Sequence, residues 1–172
     1  MKLKVIALLL ITLVSAIEVS AQDSASSILE NALISAKAEN KNVFVKYSAS
    51  WCRWCKVMDK KMKSEQCKSF FNDNYVTVTL IVKEREGKKH LENPGALDFL
   101  NKHIGGKKAG LPFWVIIDHS GNLLEDSFNA NGKNIGCPGA EEEVEEFVSI
   151  LKKTSSLSKK DLKVIAQTFL SK

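Results

Sequence analysis

The sequence predicts an α/β protein, and three observations carry that prediction. Short apolar runs alternate with segments of helical periodicity. A Cys-x-x-Cys pair, Cys52 and Cys55, stands where the first of those runs gives way to a helical stretch. A later strand-like run leads into Ser120-Gly121-Asn122, turn chemistry that lets the chain return as a hairpin.

The elements follow in order. Ile28, Leu29, Ala32, Leu33 and Ala36 keep helical spacing behind Ser26 and Ser27, which suit a helix cap, and Asn40-Lys41-Asn42 breaks the helix. Val43-Phe44-Val45 with Tyr47 reads as a short buried strand. After the cysteine motif a helix turns Val57, Met58 and Met62 inward. Tyr75 to Val82, β-branched and apolar, suits a central strand. Asn93-Pro94 opens a helix through Leu97 and Leu100 that ends before Gly105-Gly106. Pro112 to Asp118 is another apolar strand, and Leu123 to Phe128 is its hairpin partner. Beyond a loop rich in Gly and Asn, Val144, Phe147, Val148 and Leu151 share one face of an amphipathic helix. Leu162, Ile165, Ala166 and Phe169 mark one extra C-terminal helix.

The 172 residues are 44% hydrophobic and 26% charged, which excludes collagen-like, disordered and disulfide-dense classes. Lys2 and Lys4 precede an apolar run from Val5 to Ile17, and Val19-Ser20-Ala21 supplies small residues for cleavage. This pattern reads as a secretory signal peptide over residues 1–21. The run is shorter than the roughly 20 residues of a spanning helix, so an uncleaved anchor is the lesser alternative. Residues 22–172 then form one domain, with a core over about 26–153 and a helical extension over about 158–171. Export to the periplasm or the exterior exposes the cysteines to oxidising conditions. The net charge of +5 lacks a dense basic block, so nucleic acid is not an expected partner. The acidic run Glu141 to Glu146 suits a helix N-terminus, which favours negative charge, better than a calcium site.

The chemistry concentrates at the cysteine motif. At a helix start the unpaired N–H groups and the dipole stabilise an anion, so the thiolate of Cys52 is favoured. Cys55 lies one turn on, in reach of a mixed disulfide formed at Cys52. Arg53 adds positive charge, while Trp51 and Trp54 shield the pair and offer a partner chain an apolar surface. A zinc site would need further ligands, but Cys67 and Cys137 make no second close pair and His90, His103 and His119 are scattered. Lys56 follows Cys55, which excludes the usual haem attachment.

Trp51-Cys52-Arg53-Trp54-Cys55-Lys56, behind Val43 to Ala49, resembles the active-site segment of the thioredoxin superfamily. Gly110-Leu111-Pro112-Phe113-Trp114-Val115 resembles that superfamily's cis-proline loop. The likeness runs from about Ser26 to Lys153 and is strongest to exported domains related to thiol–disulfide interchange proteins. It implies a thioredoxin-like α/β fold, a mixed central β-sheet flanked by helices on both faces. It also implies Cys52 as nucleophile, Cys55 as resolving thiol, Pro112 as the cis-proline and the Leu111 backbone as partner of an extended substrate strand. Two positions depart from the pattern. Arg53-Trp54 replaces the Gly-Pro of ordinary thioredoxins. Lys46 stands where they carry a buried Asp beneath the dithiol, which leaves the proton acceptor for Cys55 open. Lys46 is either a buried cation favouring thiolate or a stem carrying its ammonium to solvent.

The expected function is thiol–disulfide exchange on protein substrates, as reductase or isomerase rather than oxidase, without a bound cofactor or metal. A membrane electron donor is an implied partner. A non-catalytic peptide-binding module is the alternative, and a peroxide-consuming enzyme a third reading that no residue singles out. In such a fold Cys67 lies at the far end of the helix after Cys55 while Cys137 lies near the dithiol, so no bridge between them is expected.

Overall fold

A computed structural model describes residues 22–171; the signal peptide expected over residues 1–21 lies outside the described residues. Helix α1 (Ala25–Glu39) leads into β1 (Asn42–Ser48), followed by α2 (Arg53–Met62), α3 (Lys68–Asn74) and β2 (Tyr75–Ile81). A single 3-10 turn (Lys89–Leu91) precedes α4 (Ala96–Ile104), the strands β3 (Phe113–Ile117) and β4 (Leu123–Asp126), and the helices α5 (Glu141–Thr154) and α6 (Lys159–Leu170). None of the described helices is long and apolar enough to cross a membrane.

The four strands form one sheet in the order β2-β1-β3-β4. β1 runs parallel to β2 and antiparallel to β3, so the sheet is mixed, and β3–β4 is the expected hairpin. Its turn is closed by Asp118, whose carboxylate accepts the backbone N–H groups of Ser120 and Asn122 at 2.8 and 2.9 Å. Alternation along β1 and β3 divides the core in two. Val43, Val45, Tyr47, Val115 and Ile117 pack under α1 and α4. Phe44, Trp114 and Ile116 pack on the other face against side chains of α2, α3, α5 and α6. The α/β fold with helices on both faces is therefore the one the sequence predicts.

Three details differ from the expectation. The cap of α1 is Ser24, whose hydroxyl accepts the N–H of Ser27, rather than Ser26 or Ser27. The helical stretch after Cys55 is two helices, α2 and α3, separated by a turn before Cys67. β2 is an edge strand, not a central one. Thr77 and Thr79 are its exposed residues, and Val76 and Val78 are only half-buried, so the run alternates as a one-faced strand does. β-Branched composition alone did not distinguish centre from edge.

Aromatic rings knit the larger core. Trp114 stacks on Phe44 at 5.3 Å and meets Phe147 edge-on at 5.4 Å, and Phe147 lies 4.9 Å from Phe169 of α6. The C-terminal helix thus belongs to the core. It is opened by a reciprocal cap, in which Ser158 and Asp161 each accept the other's backbone N–H. Cys67 is buried in the same core and Cys137 packs at its margin; both are free, as expected.

Phe169→Ala removes a fully buried ring. It is expected to cost about 3–5 kcal/mol, read as a lowered urea midpoint. A loss below about 1 kcal/mol, the range of surface changes, would show that α6 is separable from the core.

Candidate functional site

The site is built where β1 runs out of neighbours. Its ladders to β2 and β3 end near Ser48, and the chain leaves the sheet through Ala49 to Trp51 before α2 begins. Two contacts hold that exit. Glu84, almost fully buried, accepts hydrogen bonds from both the backbone N–H and the hydroxyl of Ser50, the latter at 2.8 Å. The indole N–H of Trp51 donates to the carbonyl of Lys83 at 2.9 Å. Burial works against the charge on Glu84, but the two Ser50 bonds and the nearby Lys88 and Lys89 outweigh it and hold its carboxyl below the usual range.

Cys52 caps α2, and its Sγ accepts the N–H of Cys55 at 3.1 Å. The sulfur therefore occupies the anion-favouring end of the helix. Cys52 and Cys55 are joined as a disulfide. The two residues are 3% and 1% exposed, with Ala49 and Leu111 packed against them. Both cysteines are therefore buried in this oxidised form.

Leu111 belongs to the facing loop, and the Leu111–Pro112 peptide is cis. That loop is clamped from behind by the Gly- and Asn-rich segment that follows β4. Asn134 donates through Nδ2 to the carbonyls of Gly110 and Pro112 at 3.0 and 3.1 Å. Trp114 donates its indole N–H to the carbonyl of Gly136 at 2.8 Å. Gly136 adopts φ of +56°, and a Cβ there would sit 3.3 Å from the Pro112 carbonyl oxygen, so two demands select glycine. Among the described residues the backbone groups of Leu111 take no hydrogen bond.

Beneath the motif, Lys46 is 0% exposed and pairs with Asp59 of α2. The solvent-seeking arrangement for this lysine is thereby corrected. It points into the face covered by α2, and the carboxylate it finds lies one turn beyond Cys55 on the same side of that helix. Burial lowers the ammonium's pKa against the opposing pull of Asp59. Asp59, Glu84, Asn134 and Gly136 are site residues that motif reading missed. Only the Gly- and Asn-rich composition of the 129–139 loop hinted at the last two.

Arg53, Trp54, Leu111 and Pro112 line one open groove of about 950 Å³, which also takes in Cys137 and the end of α6. Trp51 does not line it; the Arg85 guanidinium lies 6.0 Å from its ring. The histidines stay apart, His103 sharing a 2.8 Å hydrogen bond with the Tyr47 hydroxyl. Among the described residues no group of three His, Cys, Asp or Glu side chains stands close enough to hold a metal ion. Burial pushes the Cys137 thiol up to about 11.

A Cys-x-x-Cys disulfide at the start of a helix, facing a cis-proline loop across the end of a mixed sheet, defines a thioredoxin-like redox domain. The family model Thioredox_DsbH, described as a protein of unknown function (DUF255), matches residues 25–169, and the chain belongs to this DsbH-like thioredoxin family. Among solved structures it is similar to the disulphide isomerase from Xylella fastidiosa Temecula1, at 18% identity over 84% of this chain and 88% of that one, with a TM-score of 0.50. A DsbH oxidoreductase aligns at 23% identity over 76% of this chain and 83% of its own, with a TM-score of 0.45. The C-terminal domain of Neisseria meningitidis DsbD, in its oxidised form, aligns at 18% identity over 62% and 84%, with a TM-score of 0.42. No curated protein matches the chain in sequence.

Two outcomes follow from this geometry. Glu84→Gln removes the charge that holds Ser50, at an expected cost of about 2 kcal/mol at pH 7. The folded pKa of Glu84 lies below its unfolded value, so this stabilisation is complete above the unfolded value and is lost as pH falls through the folded one. Urea midpoints of the two proteins should therefore converge toward pH 3, and a gap independent of pH would refute the assignment. In the reduced protein at pH 7.5, iodoacetamide should label Cys52 well before Cys137, because only the thiolate reacts. Mass spectrometry of timed samples checks the order, and faster labelling of Cys137 would contradict it.

Proposed function

We propose that this chain is a thiol–disulfide oxidoreductase acting on protein disulfides, working as reductase or isomerase in an extracytoplasmic compartment reached through a signal peptide over residues 1–21. The observation that supports it most is the position of the Cys52 sulfur, capping α2 and accepting the Cys55 N–H beside the open backbone of Leu111. A thiolate at that point is stabilised before any substrate arrives.

In the reduced protein the Cys52 thiolate attacks one sulfur of a substrate disulfide. A mixed disulfide forms and the substrate's other sulfur leaves as a thiolate. Leu111 aligns the substrate strand through its free backbone groups, as a strand adds to a sheet edge. Cys55 then loses its proton and attacks the Cys52 sulfur, releasing the second substrate sulfur and closing the Cys52–Cys55 disulfide. Asp59, one turn below, is the carboxylate that takes the proton, with Lys46 holding it in position. Two electrons and two protons pass to the substrate, and a dithiol partner, such as a membrane electron donor, must return them. Resolution within the same substrate instead gives isomerisation and leaves the dithiol reduced. All the chemistry is sulfur chemistry, so the reading requires no cofactor. The reductive direction rests on the resemblance to interchange-type domains.

Cys52→Ser should abolish turnover, whereas Cys55→Ser should accumulate mixed disulfides through Cys52, because the resolving thiol releases the partner. Insulin reduction and mass spectrometry of the adducts read both. Activity persisting in both variants, or no Cys52-dependent turnover with any disulfide, would sink the catalytic reading in favour of a peptide-binding module.

A further inference from the structure

The groove beside the dithiol has a charge pattern that the exchange chemistry does not call on. Its floor is apolar, made by Trp54, Val57 and Leu111. Its rim carries the cations Arg53, Lys61, Lys108 and Lys133. Glu143 is the acidic residue lining it, and its carboxylate is engaged at the N-terminus of α5, accepting the N–H groups of Gly139 and Ala140 at 3.2 and 3.3 Å. Lys61 is likewise committed, donating to the carbonyls of Phe169 and Ser171 at 2.6 and 2.9 Å, which fixes the end of α6 as a wall of the groove. Among the described residues Arg53, Lys108 and Lys133 form no ion pair. They converge on the groove from three segments: the motif itself, the chain before the cis peptide, and the loop after β4.

We propose that this groove docks an acidic, apolar segment of the substrate polypeptide flanking its reacting cysteine, and so selects substrates by charge. The assignment rests on the exchange reading and adds the substrate class to it. An apolar side chain seated on Trp54 and Leu111 anchors the segment, and its carboxylates meet Arg53, Lys108 and Lys133. Unpaired cations around an apolar floor attract such a segment and repel a basic one, which is how surface charge discriminates between partners. The wall made by α6 gives the C-terminal helix a part in recognition.

The experiment compares matched disulfide-linked fluorogenic peptides with acidic, neutral and basic flanks, together with glutathione disulfide, on the full mature chain. The expected kcat/KM for the acidic peptide exceeds that for the basic one by about tenfold, the scale of a few exposed charge contacts. Raising the salt to 1 M, where screening acts within about 3 Å, should erase the preference. K108E/K133E should invert it. K37E/K102E, with the same charge change on exposed positions of α1 and α4 across the sheet, should keep the wild-type ratio. Equal rates for acidic and basic peptides, or a ratio that K108E/K133E leaves unchanged, would overturn the proposal while the exchange activity stands. Glutathione disulfide matching the acidic peptide in rate and charge dependence would also overturn it, because a small anion would then suffice. If no disulfide turns over, the exchange reading fails. Fluorescence anisotropy with the acidic peptide carrying Ser for Cys then decides the groove, charge-dependent binding supporting it and absence of binding overturning it.

Discussion

A strand buried on both faces must satisfy its backbone through its neighbours, and β1 does so by pairing in parallel with β2 on one side and antiparallel with β3 on the other. The rest of the molecule follows from that requirement. Two helical layers are needed to cover the faces, and they divide the core into the two clusters. Where both ladders stop, the chain leaves the sheet and meets the unpaired N–H groups of α2. The dithiol sits at this junction because, among the described residues, it is the one place where a fully paired core strand hands over to a helix start.

The same burial explains the most unusual side chain in the core. Lys46 faces the layer that holds α2, with Phe44 and Trp114 near it on the sheet, and no hydrocarbon neighbour can satisfy an ammonium. Asp59 supplies the counter-charge from the active-site helix itself. Loss of the carboxylate alone would strand a buried cation, whereas replacing both partners with apolar groups need not destabilise. A pair that is a poor source of stability therefore holds α2 in register with β1, directly below the cysteines.

Much of this arrangement was legible from residue patterns, and the reasons differ from element to element. β1 and β3 declared themselves because strands buried on both faces leave near-continuous apolar runs. The motif announced its position because a dithiol after a strand and before a helix has few other uses. The edge position of β2 was hidden, since Val76 and Val78 advertise burial more loudly than Thr77 and Thr79 advertise solvent. The supports of the site were hidden for another cause. Glu84 and Ser50, Asn134 and Pro112, and Asp59 and Lys46 are polar contacts across long sequence separations. Local periodicity carries no trace of which polar residue meets which.

The link from Lys61 to the carbonyls of Phe169 and Ser171 spans 108 and 110 positions of sequence. It ties the last turn of the last helix to the helix that carries the cysteines. In evolutionary terms the C-terminal turn and the helix that carries the cysteines cannot drift separately. A change at the C-terminal turn is felt by α2 through one ammonium, and a change at Lys61 uncovers two carbonyls at the groove's edge. Lineages that remodel the tail of this fold will therefore be reshaping the mouth of its redox centre, whether or not a residue of the cysteine motif is altered.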